Sequence, residues 1–240
     1  IVPGLSFAVQ IFTEPGDEVI IQPPVYHPFQ HVIKKNNRKI VYNPLKVVDD
    51  KFEMDLDDLE KKITPKTKLL FLCNPHNPGG KVWDKEVLTR LADICHKHGI
   101  IVISDEIHAD MTLCGYKHVP FASVSEKAAE ITVTYMAPSK AFNMPGLISS
   151  YYVISNTDLR NKLQDFLNRN ELFGGNIFAY AATVAAYQQG KEWLEQMLAY
   201  VKENMVYVIE YLKNNIPQIK PVLPEASFLI FLNCKDLGLK

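Results

Sequence analysis

The run Thr67–Cys73, TKLLFLC, is apolar at nearly every position. A strand with one wet face alternates polar and apolar residues, so a run without alternation belongs to a strand covered on both faces. Ile100–Ser104 (IIVIS) has the same character until its last residue. Two such strands need helices on both sides of their sheet. The stretch between them supplies one, since Asp84–His98 has helical spacing and stops at Gly99, where glycine suits the left-handed turn that ends a helix. The alternation extends along the chain. Strands are expected at Glu18–Gln22, Lys39–Tyr42, Ile131–Tyr135 and Tyr151–Ile154. Helices are expected at Leu5–Thr13, from Pro28, and at Asp55–Ile63, which carries acids in its first turn. Thr157–Asn215 reads as mostly helical, after which Pro217, Pro221 and Pro224 punctuate a change to the strand-like run Phe228–Leu232. This order predicts an α/β fold, a mostly parallel sheet sandwiched by helices over residues 1–215, with 216–240 as the beginning of a smaller C-terminal α/β domain. Apolar sequence starts at once with Ile1, and the chain stops at Lys240 just after a strand-like run, so a fragment of a longer protein is expected.

The bulk properties narrow the function classes. A chain of 240 residues, 47% of them hydrophobic, can bury a sizeable core. A net charge of -1 offers no basic field to nucleic acid or to an anionic membrane. No apolar run approaches the roughly 20 residues of a membrane span, and no secretory leader is expected. Cys73, Cys95, Cys114 and Cys234 are scattered without C-x-x-C spacing. A disulfide framework or zinc site is therefore not expected, and a reducing, cytoplasmic compartment is. Neither of the glycine-rich nucleotide motifs, G-x-G-x-x-G or G-x-x-x-x-G-K, is present.

In a parallel α/β sheet, ligands gather at the carboxyl ends of the strands. Four polar segments fall there: Pro23-Pro24-Val25-Tyr26, Asn74-Pro75-His76-Asn77-Pro78-Gly79-Gly80, Ser104-Asp105-Glu106-Ile107-His108 and Ser139-Lys140-Ala141-Phe142. Each alone has an ordinary reading. Asn, Pro and Gly build turns, an Asp at a strand end commonly caps or pairs, a loop Lys is commonly a solvated charge, and a Tyr after Pro-Pro commonly packs. Joined in this order at the ends of successive strands, they form a specific pattern.

That pattern resembles the pyridoxal-phosphate (PLP) enzymes of fold type I, in the class I/II aminotransferase group, over nearly the whole chain. The resemblance implies a role for each matching residue. Lys140 would hold PLP through a Schiff base and act as the base that moves the substrate Cα proton. Asp105 would keep the pyridine nitrogen protonated, Asn77 would hydrogen-bond the ring's 3-oxygen, and Tyr26 would stack on the ring face. The backbone of Ile1 and Val2, at the start of the first helix, would meet the phosphate together with the Ser139 hydroxyl. The resemblance also implies a homodimer and a small-molecule amino-acid substrate, and the Arg that orients the substrate carboxylate would lie beyond Lys240.

Two positions depart from the group's usual pattern. Its common phosphate-binding Arg, eight residues after the Schiff-base Lys, is Ile148 here. The Tyr commonly found three residues after the Asp is His108, either a donor to the same 3-oxygen or a structural residue beneath the cofactor. A-P-S-K-A-F-N-M-P-G-L, D-E-I-H-A-D-M, P-P-V-Y-H-P-F, Phe173-Gly174-Gly175-Asn176 and Lys191-Glu192-Trp193-Leu194 are together similar to the cystathionine β-lyase branch, the MalY/PatB-type carbon–sulfur lyases. That branch implies α,β-elimination of cystathionine-like amino acids to pyruvate, ammonia and a thiol. A class I/II aminotransferase and a PLP-binding regulatory module are the alternatives.

Overall fold

A computed structural model describes residues 1–172 and 174–238. Helix α1 (Val2–Phe12) leads into strand β1 (Glu18–Ile21), α2 (Pro28–Lys35) and β2 (Lys39–Tyr42). A hairpin of β3 (Lys46–Val48) and β4 (Lys51–Glu53) precedes α3 (Leu56–Lys62), β5 (Thr67–Cys73), α4 (Lys85–Lys97) and β6 (Ile101–Asp105). Then come α5 (Glu126–Ile131), β7 (Thr132–Met136), β8 (Tyr151–Val153), and the helices α6 (Thr157–Arg169), α7 (Ile177–Gln189) and α8 (Lys191–Asn215). The short strands β9 (Lys220–Val222) and β10 (Phe231–Asn233) pair antiparallel.

The main sheet has the order β2-β1-β5-β6-β7-β8. Its pairings are parallel except at the edge, where β8 runs antiparallel to β7. The two faces of β5 feed different cores. Leu69, Phe71 and Cys73 pack with Leu5, Val9, Phe29 and Leu163 of α1, α2 and α6. Leu70 and Leu72 pack with Leu59, Leu88 and Leu91 of α3 and α4. Ile103 and Val102 divide in the same way on β6. Each such side chain removed from water contributes about 1.5–3 kcal/mol, and this two-sided burial explains why Leu69–Cys73 and Ile101–Ile103 carry no polar residue.

Several elements differ from the expectations above for local physical reasons. Helix α1 starts at Val2 rather than Leu5, because Pro3 falls in the first turn, where a missing N–H costs no hydrogen bond. Strand β7 begins at Thr132, since the preceding Glu126–Ile131 forms α5, capped by the Ser125 hydroxyl, which accepts from Ala128 N–H. The β3–β4 hairpin was not anticipated. Its turn residues Asp49 and Asp50 both have positive φ, the twist a two-residue hairpin loop requires, but Asp-Asp lacks the usual glycine. The last strand covers Phe231–Asn233, later than the expected Phe228–Leu232.

Candidate active site

The loop after β5 is held from inside. Asn74 N–H donates to the Asp105 carbonyl at 3.0 Å, and the Trp83 indole N–H donates to the Cys73 carbonyl at 2.9 Å. His76 N–H and the Lys81 carbonyl close the loop at 2.8 Å. A Cβ at Gly79 would lie 2.1 Å from the Phe52 ring, so only glycine fits there. The Asn77 N–H rests on the Cys73 sulfur at 3.2 Å, and the loop presents Asn77 to the space beyond the strand end.

Strand β6 ends in two adjacent carboxylates that face opposite ways. Glu106, on the side of α4, accepts from Ser104 Oγ (2.8 Å), from Phe121 N–H (3.0 Å) and from His118 Nε2 (2.7 Å). These bonds fix the strand end against the 118–121 turn. Asp105 faces the other way and accepts one internal hydrogen bond, from Ile107 N–H at 3.3 Å. After β7, Phe142 N–H donates to the Pro138 carbonyl and Met144 N–H to the Ser139 carbonyl, which curls the loop and sets Lys140 on its inner side.

These segments meet at one cavity of about 390 Å³, lined by Ile1, Val2, Tyr26, Asn77, Asp105, His108, Ser139 and Lys140, with Cys73, Ile107, Phe228 and Leu229. All eight residues singled out in the sequence are among its walls. Phe228 and Leu229 were not foreseen. They return to the cavity from far along the chain, and nothing in their local sequence signals it. Ile148 is elsewhere: it is 88% exposed with φ 49° and borders a second cavity of about 600 Å³ that shares Ile1 and Ser139. Among the described residues, that larger cavity has no Asp, Glu, Lys, Arg or His in its lining, whereas Asp105, His108 and Lys140 line the smaller one.

Burial sets the electrostatics. Asp105 is 4% exposed. Desolvation pushes its carboxyl up to about 6, against the opposing pull of the Ile107 N–H and of Lys140. His108 is almost fully buried, and among the described residues neither ring nitrogen has a hydrogen-bond partner; burial lowers its imidazole to about 4, with the Lys140 charge acting in the same direction. It is a neutral imidazole near pH 7. Tyr26 is raised above its ordinary value, by burial first and the Asp105 charge second, so it is a neutral phenol. The site thus offers an amine, a desolvated carboxylate that forms no salt bridge among the described residues, and an unpaired neutral imidazole around one small space.

Class I and II aminotransferases match this chain over residues 3–238. The chain belongs to that family. It is 47% identical over 240 residues to cystathionine beta-lyase PatB of Bacillus subtilis, covering 100% of this chain and 62% of that protein. It is 30% identical over 227 residues to an aspartate aminotransferase of Geobacillus stearothermophilus, covering 95% of this chain and 57% of that protein. Cystalysin from Treponema denticola, solved with a pyridoxal 5'-phosphate cofactor, superposes with a TM-score of 0.96 at 36% identity, over 99% of this chain and 61% of that one. The chain therefore spans about three fifths of the length of these family members. Of the branch-like segments, Gly174–Asn176 border the larger cavity, and Phe173 lies outside the described residues. No described helix of this family member is long and apolar enough to cross a membrane.

The buried imidazole has a measurable consequence. His108 titrates at about 4 in the folded chain against an ordinary 6.5. Below pH 6.5 the unfolded chain takes up this proton first, so stability is fully present above 6.5 and falls as pH drops toward 4. Asp105, raised from 3.8 to about 6, acts the opposite way over an overlapping window, and His76, lowered to about 3 by burial, acts like His108. Comparison with His108→Gln isolates the His108 contribution. In urea unfolding of the cofactor-free protein, the variant should lose roughly 3 kcal/mol less than the parent between pH 6.5 and 4. Parallel pH profiles for the two proteins would show that His108 is not desolvated.

Proposed function

We propose that the complete protein is a PLP-dependent carbon–sulfur β-lyase that converts cystathionine-like amino acids to pyruvate, ammonia and a thiol by α,β-elimination. The reading rests on the meeting of Lys140, Asp105, Asn77, Tyr26 and the unpaired His108 at a single cavity. The fit to PLP is chemical. A desolvated carboxylate is stabilised by a cation, which a protonated pyridine nitrogen provides. An imidazole without partners is satisfied by a ring oxygen. The volume of about 390 Å³ is in the range of small-molecule sites.

When bound, PLP supplies an electron sink that makes the substrate's Cα–H acidic. Lys140 would hold the cofactor covalently, and its Nζ would accept the substrate's Cα proton. Asp105 would keep the pyridine nitrogen protonated. Asn77 would donate to the 3-oxygen, and His108, neutral at working pH, would donate to the same atom. Tyr26 would stack on the ring, a contact worth about 0.5–1.5 kcal/mol beyond burial. The backbone N–H groups of Ile1 and Val2 at the start of α1 and the hydroxyl of Ser139 would hold the phosphate, with no guanidinium at Ile148. As the Cα–H pair forms the Cα–Cβ double bond, the Cβ–S pair departs with sulfur, which takes a proton as the thiol. The freed unsaturated amino acid tautomerises and adds water to give pyruvate and ammonia.

The same reading assigns residues 1–215 to the cofactor-binding domain and 216–240 to the start of the smaller one. It also makes the protein a cytoplasmic homodimer. The exposed Ile177, Phe178 and Tyr180 of α7 are consistent with a partner subunit, and the unpaired thiols of Cys73 and Cys95 with a reducing compartment. Sedimentation of the full-length holoenzyme should give a dimer; an active monomer at assay concentration contradicts this.

Greater identity to PatB than to the aspartate aminotransferase favours elimination over amino transfer. The full-length protein should release pyruvate and thiol from cystathionine with no keto acid added. Turnover that depends strictly on a keto acid acceptor, with no thiol released, would identify an aminotransferase.

A further inference from the structure

The segment Pro224–Leu229 folds back across the strand ends and is fastened there by Glu225. That side chain is 2% exposed, yet it lies 2.8 Å from Lys51 Nζ and 3.3 Å from Lys81 Nζ, and it accepts from Val82 N–H at 3.0 Å. Burial pushes its carboxyl up, but the two lysines and the amide carry it below its ordinary value. The backbone is fixed as well. Glu225 N–H donates to the Gly80 carbonyl, Leu113 N–H to the Glu225 carbonyl, and Ser227 N–H to the Met111 carbonyl. A Cβ at Gly80 would lie 2.7 Å from the Ala226 carbonyl oxygen, so the segment rests directly on the loop that carries Asn77. Ser227 is fully buried at φ 75°, a costly conformation for a residue with a Cβ. So many fixed points on six residues hold the next side chain in one place.

That side chain is Phe228. Its ring centroid lies 5.9 Å from Lys140 Nζ and 5.8 Å from the His108 ring, and it lines the cavity beside Leu229. On the proposed reaction, Lys140 Nζ must reach the substrate Cα, and the sulfur is only two bonds further on. An aromatic ring 5.9 Å from that amine is therefore within reach of the sulfur, and thioether sulfurs contact aromatic rings favourably at about 5 Å. The cofactor would engage the polar walls, and Phe228 and Leu229 are apolar surface of the cavity that the cofactor roles do not use, on the side of Lys140 and so within reach of the substrate's side chain.

We propose that Phe228 is a specificity-determining residue that receives the sulfur of a thioether amino acid, and that Glu225 is the positioning residue that holds it there. The inference rests on the lyase reading but can be separated from it. Binding is measured by calorimetry on full-length PLP-loaded protein carrying Lys140→Ala, so that turnover does not interfere. The ligands are S-ethylcysteine and norleucine, which differ only by sulfur against methylene at one position. The parent should prefer the sulfur ligand by about 3- to 10-fold, the range expected of a sulfur–aromatic contact. Phe228→Leu, which keeps an apolar side chain, should bring the ratio close to one. Glu225→Gln, which leaves the cavity lining intact, should move it the same way. An unchanged ratio in Phe228→Leu, or no sulfur preference in the parent, overturns the proposal. If the parent enzyme releases no thiol from any thioether amino acid, the lyase reading fails, and the binding ratio still decides the role of Phe228.

Discussion

Two-sided burial of β5 and β6 is the constraint on which the rest of the structure depends. Side chains on successive positions enter two separate cores, so the stretches Leu69–Cys73 and Ile101–Ile103 carry no polar group. At the carboxyl ends polar residues return, at Asn74 and at Ser104–Glu106, and the site assembles there. Parallel pairing brings these ends to the same edge, with Cys73 opposite Asp105 and Asp105 opposite Tyr135. The loops that follow need only short spans to bring Asn77, His108 and Lys140 together.

The site is costly to the folded chain. A carboxylate raised to about 6 and an imidazole lowered to about 4 are both displaced in the direction that burial imposes. Asp105 is held there by a group that faces away from the cavity. Glu106 is fully satisfied by Ser104, His118 and Phe121, and it anchors the strand end from which Asp105 projects. Stored strain and unpaired polar groups of this kind gather at functional sites, where a ligand completes the pairing. Cofactor binding should therefore stabilise this chain through the groups that destabilise it when free.

Much of this was legible in the sequence because it follows from strand burial and turn chemistry. TKLLFLC announced a central strand, and the polar clusters at the strand ends pointed to Tyr26, Asn77, Asp105, His108, Ser139 and Lys140, which line one cavity. What escaped depends on contacts distant in sequence or on uncommon turns. The Asp49–Asp50 hairpin uses left-handed residues without glycine. Phe228 reaches the cavity through a fold-back fixed by Lys51, Lys81 and Gly80, none of which is near it in sequence. Sequence likewise singled out Ile148 as the position of a missing guanidinium, and its side chain points to solvent rather than into the smaller cavity.

The central claim is that this cavity holds PLP through Lys140. The most direct test is borohydride reduction of the full-length holoprotein followed by proteolysis and mass mapping of the modified peptide. The account predicts a single phosphopyridoxyl addition, on Lys140. Modification of a different lysine, or a cofactor that leaves no lysine modified after reduction, would contradict it.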